Sequence, residues 1–218
     1  MLASLLRTWF RSRSGTPATA PFRRLHLGCG RDLREGWINL DASPLPGVAV
    51  VADLDNCRKT PLPLADNSID EFFGSHVIEH LNNPLPFMQE LHRVASAGAK
   101  AVFRVPYGSS DDADTDPTHV RRYFVNSFDF FSQLAYRRAD YGYRGDWETE
   151  IIVLTVAAER HAGKSDEELI EDIRARRNVV IEMIATLRAV KPIRAPGSVQ
   201  AGPLHVTLSR IANAQHNT

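Results

Sequence analysis

Residues 25–41 have the sequence LHLGCGRDLREGWINLD, the most informative pattern in this chain. A short apolar run ends at Gly28, and a second apolar run ends at Asp41. Glycine lets a backbone approach a ligand with no Cβ in the way. A carboxylate at the end of the next strand can accept hydrogen bonds from a ribose diol. The stretch therefore predicts a ligand that carries a nucleoside.

The composition excludes several classes of protein. The 218 residues carry no net charge, whereas nucleic-acid-binding proteins usually have a basic surplus. No apolar run approaches the ~20 residues needed to cross a bilayer. Cys29 and Cys57 form no CxxC pair, so we expect free thiols in a reducing, cytoplasmic compartment. We expect a soluble monomer or homodimer with a small-molecule partner and no nucleic-acid partner.

Residues 1–21 form a basic N-terminal extension, since the first acidic residue of the chain is Asp32. Apolar residues at helical spacing over residues 2–13 indicate a short amphipathic helix. Three interpretations are open: a cap packed on the domain, peripheral contact of residues 1–13 with an anionic membrane surface, or a transit-like peptide.

Further along the chain, short apolar runs alternate with helical patterns, which predicts a mainly parallel sheet in an α/β architecture. Residues 147–159 and 203–211 are predicted to be the last two strands. The segment between them has apolar residues at helical spacing. It predicts a long helix over residues 166–190, with Ser165 and Glu168 as its capping box.

Parallel α/β sheets bind ligands beyond the carboxyl ends of their strands, so the residues directly after each strand are the binding candidates. A dinucleotide would need a third glycine, where this chain has Leu33, and a full helix before the acid. The spacing from Gly30 to Asp41 leaves no room for that helix, and no helix N-terminus is available for a pyrophosphate. The predicted ligand has a nucleoside but no pyrophosphate.

The motifs LHLGCG, NLDAS, VADLD, SHVIEHL and ELHRVASAGAKAVFRVP, in this order, resemble the class I S-adenosylmethionine-dependent methyltransferases. The likeness is closest to bacterial small-molecule enzymes of the methyltransferase-11 type and is best over residues 22–135. It implies a Rossmann-like, seven-stranded, mainly parallel sheet with the last strand antiparallel and helices on both faces. It also implies one methyltransferase domain over residues 22–218, with the helix at 166–190 inserted between the last two strands.

The resemblance implies S-adenosyl-L-methionine as the cofactor. The glycine motif would lie against its methionine part, Asp41 would hold its ribose, and Asp53 would contact its adenine. The full implied set is Leu27, Gly28, Cys29, Gly30, Asp41, Ala42, Asp53, Leu54, Ser75 and His76. Two positions depart from the family pattern, since His26 replaces an acid and Asp32 replaces a third glycine.

Two histidines are candidates for a catalytic base: His76 after the fourth strand and His119 in a long polar loop. His80 is interpreted as structural. The arginines of that loop either hold an anionic substrate or pair with the preceding aspartates. No metal site is expected, because the acidic run at residues 112–116 lacks the glycine and glutamate of a calcium loop. The candidate substrate-binding residues are Tyr107, Arg121, Arg122 and Tyr123.

These inferences favour a metal-independent enzyme that transfers methyl groups from S-adenosylmethionine to an oxygen or nitrogen atom of a small molecule. A glycan precursor or a natural product would suit the resemblance. The alternative is a non-catalytic binding module that keeps the methyltransferase fold, which His26 and Asp32 motivate. A nicotinamide-dependent oxidoreductase is disfavoured by the missing third glycine.

Overall fold

A single sheet organises the computed structural model, which describes residues 22–135, 141–197 and 204–212. Its eight strands in these ranges are β1 (Arg24–Leu27), β2 (Ile38–Asp41), β3 (Val50–Val51), β4 (Ile69–Ser75), β5 (Ala95–Pro106), β6 (Trp147–Ala157), β7 (Val180–Ala189) and β8 (His205–Ile211). They lie side by side in the order β3-β2-β1-β4-β5-β7-β6-β8. All pairings are parallel except those of β7, which is antiparallel to both β5 and β6.

The described residues contain three α-helices: α1 (Pro84–Val94), α2 (Asp112–Thr115) and α3 (Asp166–Ala175). The apolar face of α1 enters the main core, and α3 adds Leu169 to the same core. None of these helices is long and apolar enough to span a membrane. The basic extension at residues 1–21 lies outside the described residues. The core residues of α1 include Phe87, Met88, Leu91 and Val94.

The predicted helix over residues 166–190 is wrong beyond its first part. α3 begins as predicted, with a capping box between Ser165 and Glu168, but it ends at Ala175. The chain then turns at Asn178, whose φ is +59°, and continues as β7. Buried and half-buried residues alternate over much of β7, with the period of a strand. Pairing with a strand on each side outweighs the helical spacing of its apolar residues.

The strand count changes for the same reason. The described sheet has eight strands rather than seven, because the segment predicted as helix supplies β7. The antiparallel strand is β7 and not the last strand. The last strand, β8, pairs with β6 in parallel orientation, with Val206 opposite Ile152. The predicted Rossmann-like α/β fold class is confirmed.

The two faces of the sheet differ in chemistry. On one face, Leu25, Phe72 and Ala101 belong to the apolar core that also includes residues of α1 and Leu169 of α3. The other face carries ion pairs between strands: Arg24 with Glu71, Arg104 with Glu182, Arg188 with Glu148 and Glu150, and, across β7, Lys100 with Glu150.

Candidate active site

Two glycines in the left-handed region shape the turn after β1. Gly28 has a φ of +58° and Gly30 a φ of +50°, which glycine adopts without strain. A Cβ on Gly28 would lie 2.6 Å from Cγ2 of Val77, so this glycine is needed for packing against the loop after β4. A Cβ on Gly30 would have no described atom within 4 Å. The backbone at Gly30 therefore faces space that a ligand can occupy.

The carboxylate of Asp41 joins this turn to the end of β2. Its Oδ2 accepts a hydrogen bond from the Gly30 amide at 2.8 Å, and its Oδ1 accepts one from the Ser43 amide at 2.9 Å. A carboxylate has about four acceptor positions, so lone pairs remain for ribose hydroxyls. Cys29 between the glycines is buried, and burial raises the pKa of its thiol. A buried thiol with a raised pKa is a small packing residue rather than a nucleophile.

The turn after β3 contains Asp53 and Leu54, the residues predicted to contact adenine. The Asp53 carboxylate accepts a hydrogen bond from the Asp55 amide at 3.0 Å, and the side chain of Leu54 is buried, which leaves its backbone for contact. Asp55 is not among the predicted site residues. Its carboxylate accepts hydrogen bonds from Asn82 and Asn83, just before α1. Of the remaining predicted cofactor residues, Leu27 is buried, Ala42 is exposed and Ser75 is half-buried.

His76 lies between two acidic side chains. Its Nδ1 is 3.3 Å from Oε1 of Glu79, and its Nε2 is 3.3 Å from Oε1 of Glu182. The carboxylates of Glu182 and then Glu79 raise the pKa of His76 to about 9. The imidazole is therefore protonated at neutral pH, a state in which it donates protons and does not accept them. Arg104 holds Glu182 in place with hydrogen bonds of 2.8 and 3.0 Å.

His119 approaches Glu79 from the loop after β5. Its Nε2 is 4.0 Å from Oε1 of Glu79, and its ring centroid is 4.7 Å from that of His80. Its Nδ1 is buried without a hydrogen-bond partner among the described residues. Three histidines thus surround one buried carboxylate. Glu79 is absent from the predicted site, because no local sequence pattern shows that the two loops meet at this residue.

One cavity of about 970 Å³ is lined by all four predicted substrate-binding residues. Its volume is in the range of small-molecule sites. The predicted residues in its wall are Tyr107, Arg121, Arg122 and Tyr123. Much of the remaining wall is apolar and includes Leu85, Phe124, Phe130, Ile170, Ile173 and Val206.

Both predicted arginines already have partners. The Arg121 guanidinium donates to the carbonyls of Leu81 and Asn82. Arg122 forms an ion pair with Asp114. Of the two interpretations of this arginine, pairing with a preceding aspartate is the one seen in the structure. Because both guanidinium groups bind protein oxygens, the structure gives neither of them as an anion-binding group of the cavity.

His26 lies on the sheet face opposite the core. Its Nδ1 is 3.3 Å from Oδ1 of Asn39, and its ring contacts Trp37 and Phe73. Burial lowers the pKa of His26, which suits a neutral ring packed among aromatic side chains. This departure from the family pattern is therefore part of the sheet packing, which weakens the argument for a non-catalytic module.

Comparisons with known proteins agree with this geometry. Residues 21–103 match the family model of a methyltransferase domain. A SAM-dependent methyltransferase from Archaeoglobus fulgidus is similar over 77% of this chain and 86% of that chain, with 19% identity and a TM-score of 0.53. A candidate methyltransferase from Bacillus halodurans is similar over 78% of this chain and 93% of that chain, with 13% identity and a TM-score of 0.50. A search of curated proteins found no match.

At these identities, the solved structures show the fold, and the family match covers the glycine turn, Asp41 and the loop after β4. The same findings support S-adenosylmethionine as the cofactor. The residues present fit that group, because Gly30 faces open space and Asp41 keeps free lone pairs. A methyltransferase family model therefore matches part of this chain, and the fold is similar to that of the class I enzymes. The resemblance to the S-adenosylmethionine-dependent methyltransferases is confirmed.

Proposed function

We propose that this chain transfers a methyl group from S-adenosylmethionine to an oxygen or nitrogen atom of a small molecule. The observation that carries the proposal is that one loop, the loop after β4, borders both candidate sites. Val77 of that loop packs against the glycine turn. Glu79 of the same loop accepts backbone hydrogen bonds from Val120 and Arg121, which line the cavity. Cofactor and acceptor would therefore meet across a single loop.

S-adenosylmethionine, when bound, supplies a methyl group on a sulfonium leaving group. The residues of the chain bind and orient the reactants. Asp41 would accept hydrogen bonds from the ribose, and the backbone at Gly30 would hold the methionine part. The apolar wall of the cavity excludes water from the acceptor. Positioning of this kind can contribute about 7–11 kcal/mol to lowering the barrier.

The role of His76 and His119 as a base stays a prediction. A protonated His76 would hold the loop after β4 through Glu182 rather than accept a proton. His76→Gln and His119→Gln should therefore be compared for kcat at unchanged cofactor affinity. A base role requires a lower kcat in the variant concerned.

Titration calorimetry with S-adenosylhomocysteine tests the cofactor site. We expect micromolar binding by the unaltered chain and at least a tenfold loss in Asp41→Ala. Asp66→Ala is the matched control. Asp66 is exposed and precedes the amino end of β4, whereas Asp41 lies at the carboxyl end of β2. No binding by the unaltered chain at millimolar ligand would mean a binding free energy weaker than about −4 kcal/mol. That result would favour the non-catalytic module.

Transfer of a labelled methyl group to extracted metabolites tests the activity. A labelled glycan precursor or natural product would identify the acceptor class. Binding of S-adenosylhomocysteine without any labelled product would again favour the binding module.

Both cysteines are free and buried, which supports the proposal that the enzyme works in the cytoplasm.

A further inference from the structure

The buried carboxylate of Glu79 has the charged His76 beside it but accepts no hydrogen bond from a described residue. Glu79 is 2% exposed, and both of its side-chain oxygens are buried without a hydrogen bond from any described residue. His76 lies 3.3 Å away but is not aligned for a hydrogen bond. Burying a carboxylate that accepts no hydrogen bond is unfavourable. The lone pairs of both oxygens are therefore left for a further ligand, such as a metal ion.

Two imidazoles stand beside this carboxylate. His119 has a largely buried side chain, and its Nε2 is 4.0 Å from Oε1 of Glu79. The His80 ring packs edge-on against the His119 ring. One possible ligand atom from each of Glu79, His80 and His119 lies within 4.8 Å of the other two. This separation is close enough for small side-chain movements to bring all three onto one ion.

The hydrogen bonds of Thr118 fix the proton on His80. The Thr118 hydroxyl donates its proton to Oδ1 of Asp116 at 2.6 Å. The same oxygen is 2.9 Å from Nδ1 of His80, so it accepts there and Nδ1 carries the proton. Nε2 of a neutral His80 then keeps its lone pair. Support of a histidine from behind by polar groups is typical of metal ligands.

Backbone hydrogen bonds hold the two ligand-bearing loops together. The amides of Val120 and Arg121 donate to the carbonyl of Glu79 at 3.0 and 3.2 Å. The Arg121 side chain adds bonds to the carbonyls of Leu81 and Asn82. The three side chains are therefore presented by a fastened pair of loops. A site with this support is organised before an ion enters.

We propose that Glu79, His80 and His119 bind a divalent transition-metal ion. Two imidazole nitrogens and one carboxylate oxygen suit ions such as Zn²⁺, Mn²⁺, Fe²⁺ and Co²⁺. The proposal replaces the metal-independent enzyme expected from the sequence. It gives His119 the role of a ligand in place of a base. The acidic run at residues 112–116 is not the site.

The position of the ion suggests what it does, and this role rests on the proposed function. His119 directly precedes Val120, which lines the acceptor cavity. Three protein ligands leave a coordination position for an acceptor hydroxyl, which the ion polarises. The acceptor proton passes to water, its oxygen bonds to the methyl carbon, and the carbon–sulfur bond breaks with its electron pair on sulfur. Ion binding itself does not depend on this role.

Calorimetric titration of the chelator-treated, full-length chain with ZnCl₂ or CoCl₂ alone tests the site. We expect one equivalent of ion to bind with micromolar or tighter affinity. Glu79→Gln and His119→Gln should each weaken binding by at least about tenfold. His205→Gln is the matched control, since this exposed histidine on β8 lies outside the cluster. Bound Co²⁺ should also give a visible absorption band that both ligand variants lose.

Several outcomes would overturn the site. They are no binding of either ion to the unaltered chain, or the same affinity in Glu79→Gln or His119→Gln. Circular dichroism of the metal-free variants checks folding. Glu79→Gln should still fold, because glutamine has the size of glutamate and the carboxylate accepts no hydrogen bond that would be lost. Parallel titration with S-adenosylhomocysteine separates the two proposals: cofactor binding without ion binding overturns this site alone, and ion binding without cofactor binding overturns the proposed function alone.

Discussion

Asp41 and Gly30 are joined by a hydrogen bond of 2.8 Å between Oδ2 and the backbone amide. The bond holds a turn in which Gly30 has a φ of +50°. The carboxylate proposed to bind ribose therefore also shapes the backbone proposed to lie against the methionine part. Because one residue serves both purposes, tests of this region must separate loss of folding from loss of binding.

Gly28→Ala should destabilise the fold. A Cβ at this position would lie 2.6 Å from Val77, at a φ of +58°. Left-handed strain costs about 1–2 kcal/mol and overpacking about 1–3 kcal/mol, so we expect the free energy of unfolding to fall by roughly 2–5 kcal/mol. Urea unfolding followed by tryptophan fluorescence measures this change.

Gly36→Ala is the matched control for Gly28→Ala. Gly36 has a φ of +75°, and an added Cβ would meet no described atom within 4 Å. It therefore tests strain alone, at about 1–2 kcal/mol. Combining Gly28→Ala with Val77→Ala should recover part of the loss. Equal losses for the two single glycine variants would show that contact with Val77 is unimportant.

Much of the fold could be predicted from the sequence, because the strand ends carry glycines and acids in a recognisable order. The error at residues 166–190 has a physical cause. The sequence of β7 contains apolar residues at helical spacing, and its own propensity does not decide between helix and strand. Pairing with β5 and β6 decides it, and such long-range pairing cannot be seen in a local pattern.

The candidate site could be predicted in part. The positions after β1, β2 and β4 were identifiable, because strand ends meet at one edge of a parallel sheet. Glu79 was not, since its importance depends on burial and on the approach of His119 from another loop. Arg122 was ambiguous in the sequence, and only the fold shows its pairing with Asp114.

Arg194→Ala should cause a large loss of stability. Asp146 is fully buried, and Arg194 donates to both of its carboxylate oxygens at 2.8 Å. Removing one partner of a buried pair costs about 3–5 kcal/mol. Urea unfolding at neutral pH measures the loss. Arg176→Ala is the control, since the Arg176 side chain is exposed and its pair with Asp172 should contribute little to stability; a similar loss in both variants would contradict the prediction.

The Asp146 pair should also make stability depend on acid. Burial alone would raise the pKa of Asp146, but hydrogen bonds from Arg194 and Gln133 outweigh it and lower the pKa. The stabilisation is therefore complete above the unfolded value of about 3.9 and is lost as pH falls through the folded value. In Arg194→Ala, burial dominates, so protonation relieves the penalty. The stability gap between the two proteins should narrow from pH 7 towards about pH 4; a constant gap would exclude this origin.

Thr118→Val should weaken metal binding without loosening the fold. Valine has nearly the shape of threonine but lacks the hydroxyl that links His80 to Asp116. Thr118 is exposed, so the free energy of unfolding should change by no more than about 0.5 kcal/mol. Loss of a group that orients a metal-binding histidine typically lowers affinity about 10- to 100-fold. Zinc calorimetry on the metal-free variant measures the effect.

Thr118→Ser distinguishes the hydroxyl from the shape of the side chain. Serine keeps the donor and the acceptor, so it should restore most of the affinity that Thr118→Val loses, together with the Co²⁺ absorption band. An affinity of Thr118→Val equal to that of the unaltered chain would show that His80 needs no orientation from Thr118. Equal losses in the valine and serine variants would assign the effect to packing in the loop. Only loss in valine with recovery in serine supports a positioning role through the His80 imidazole.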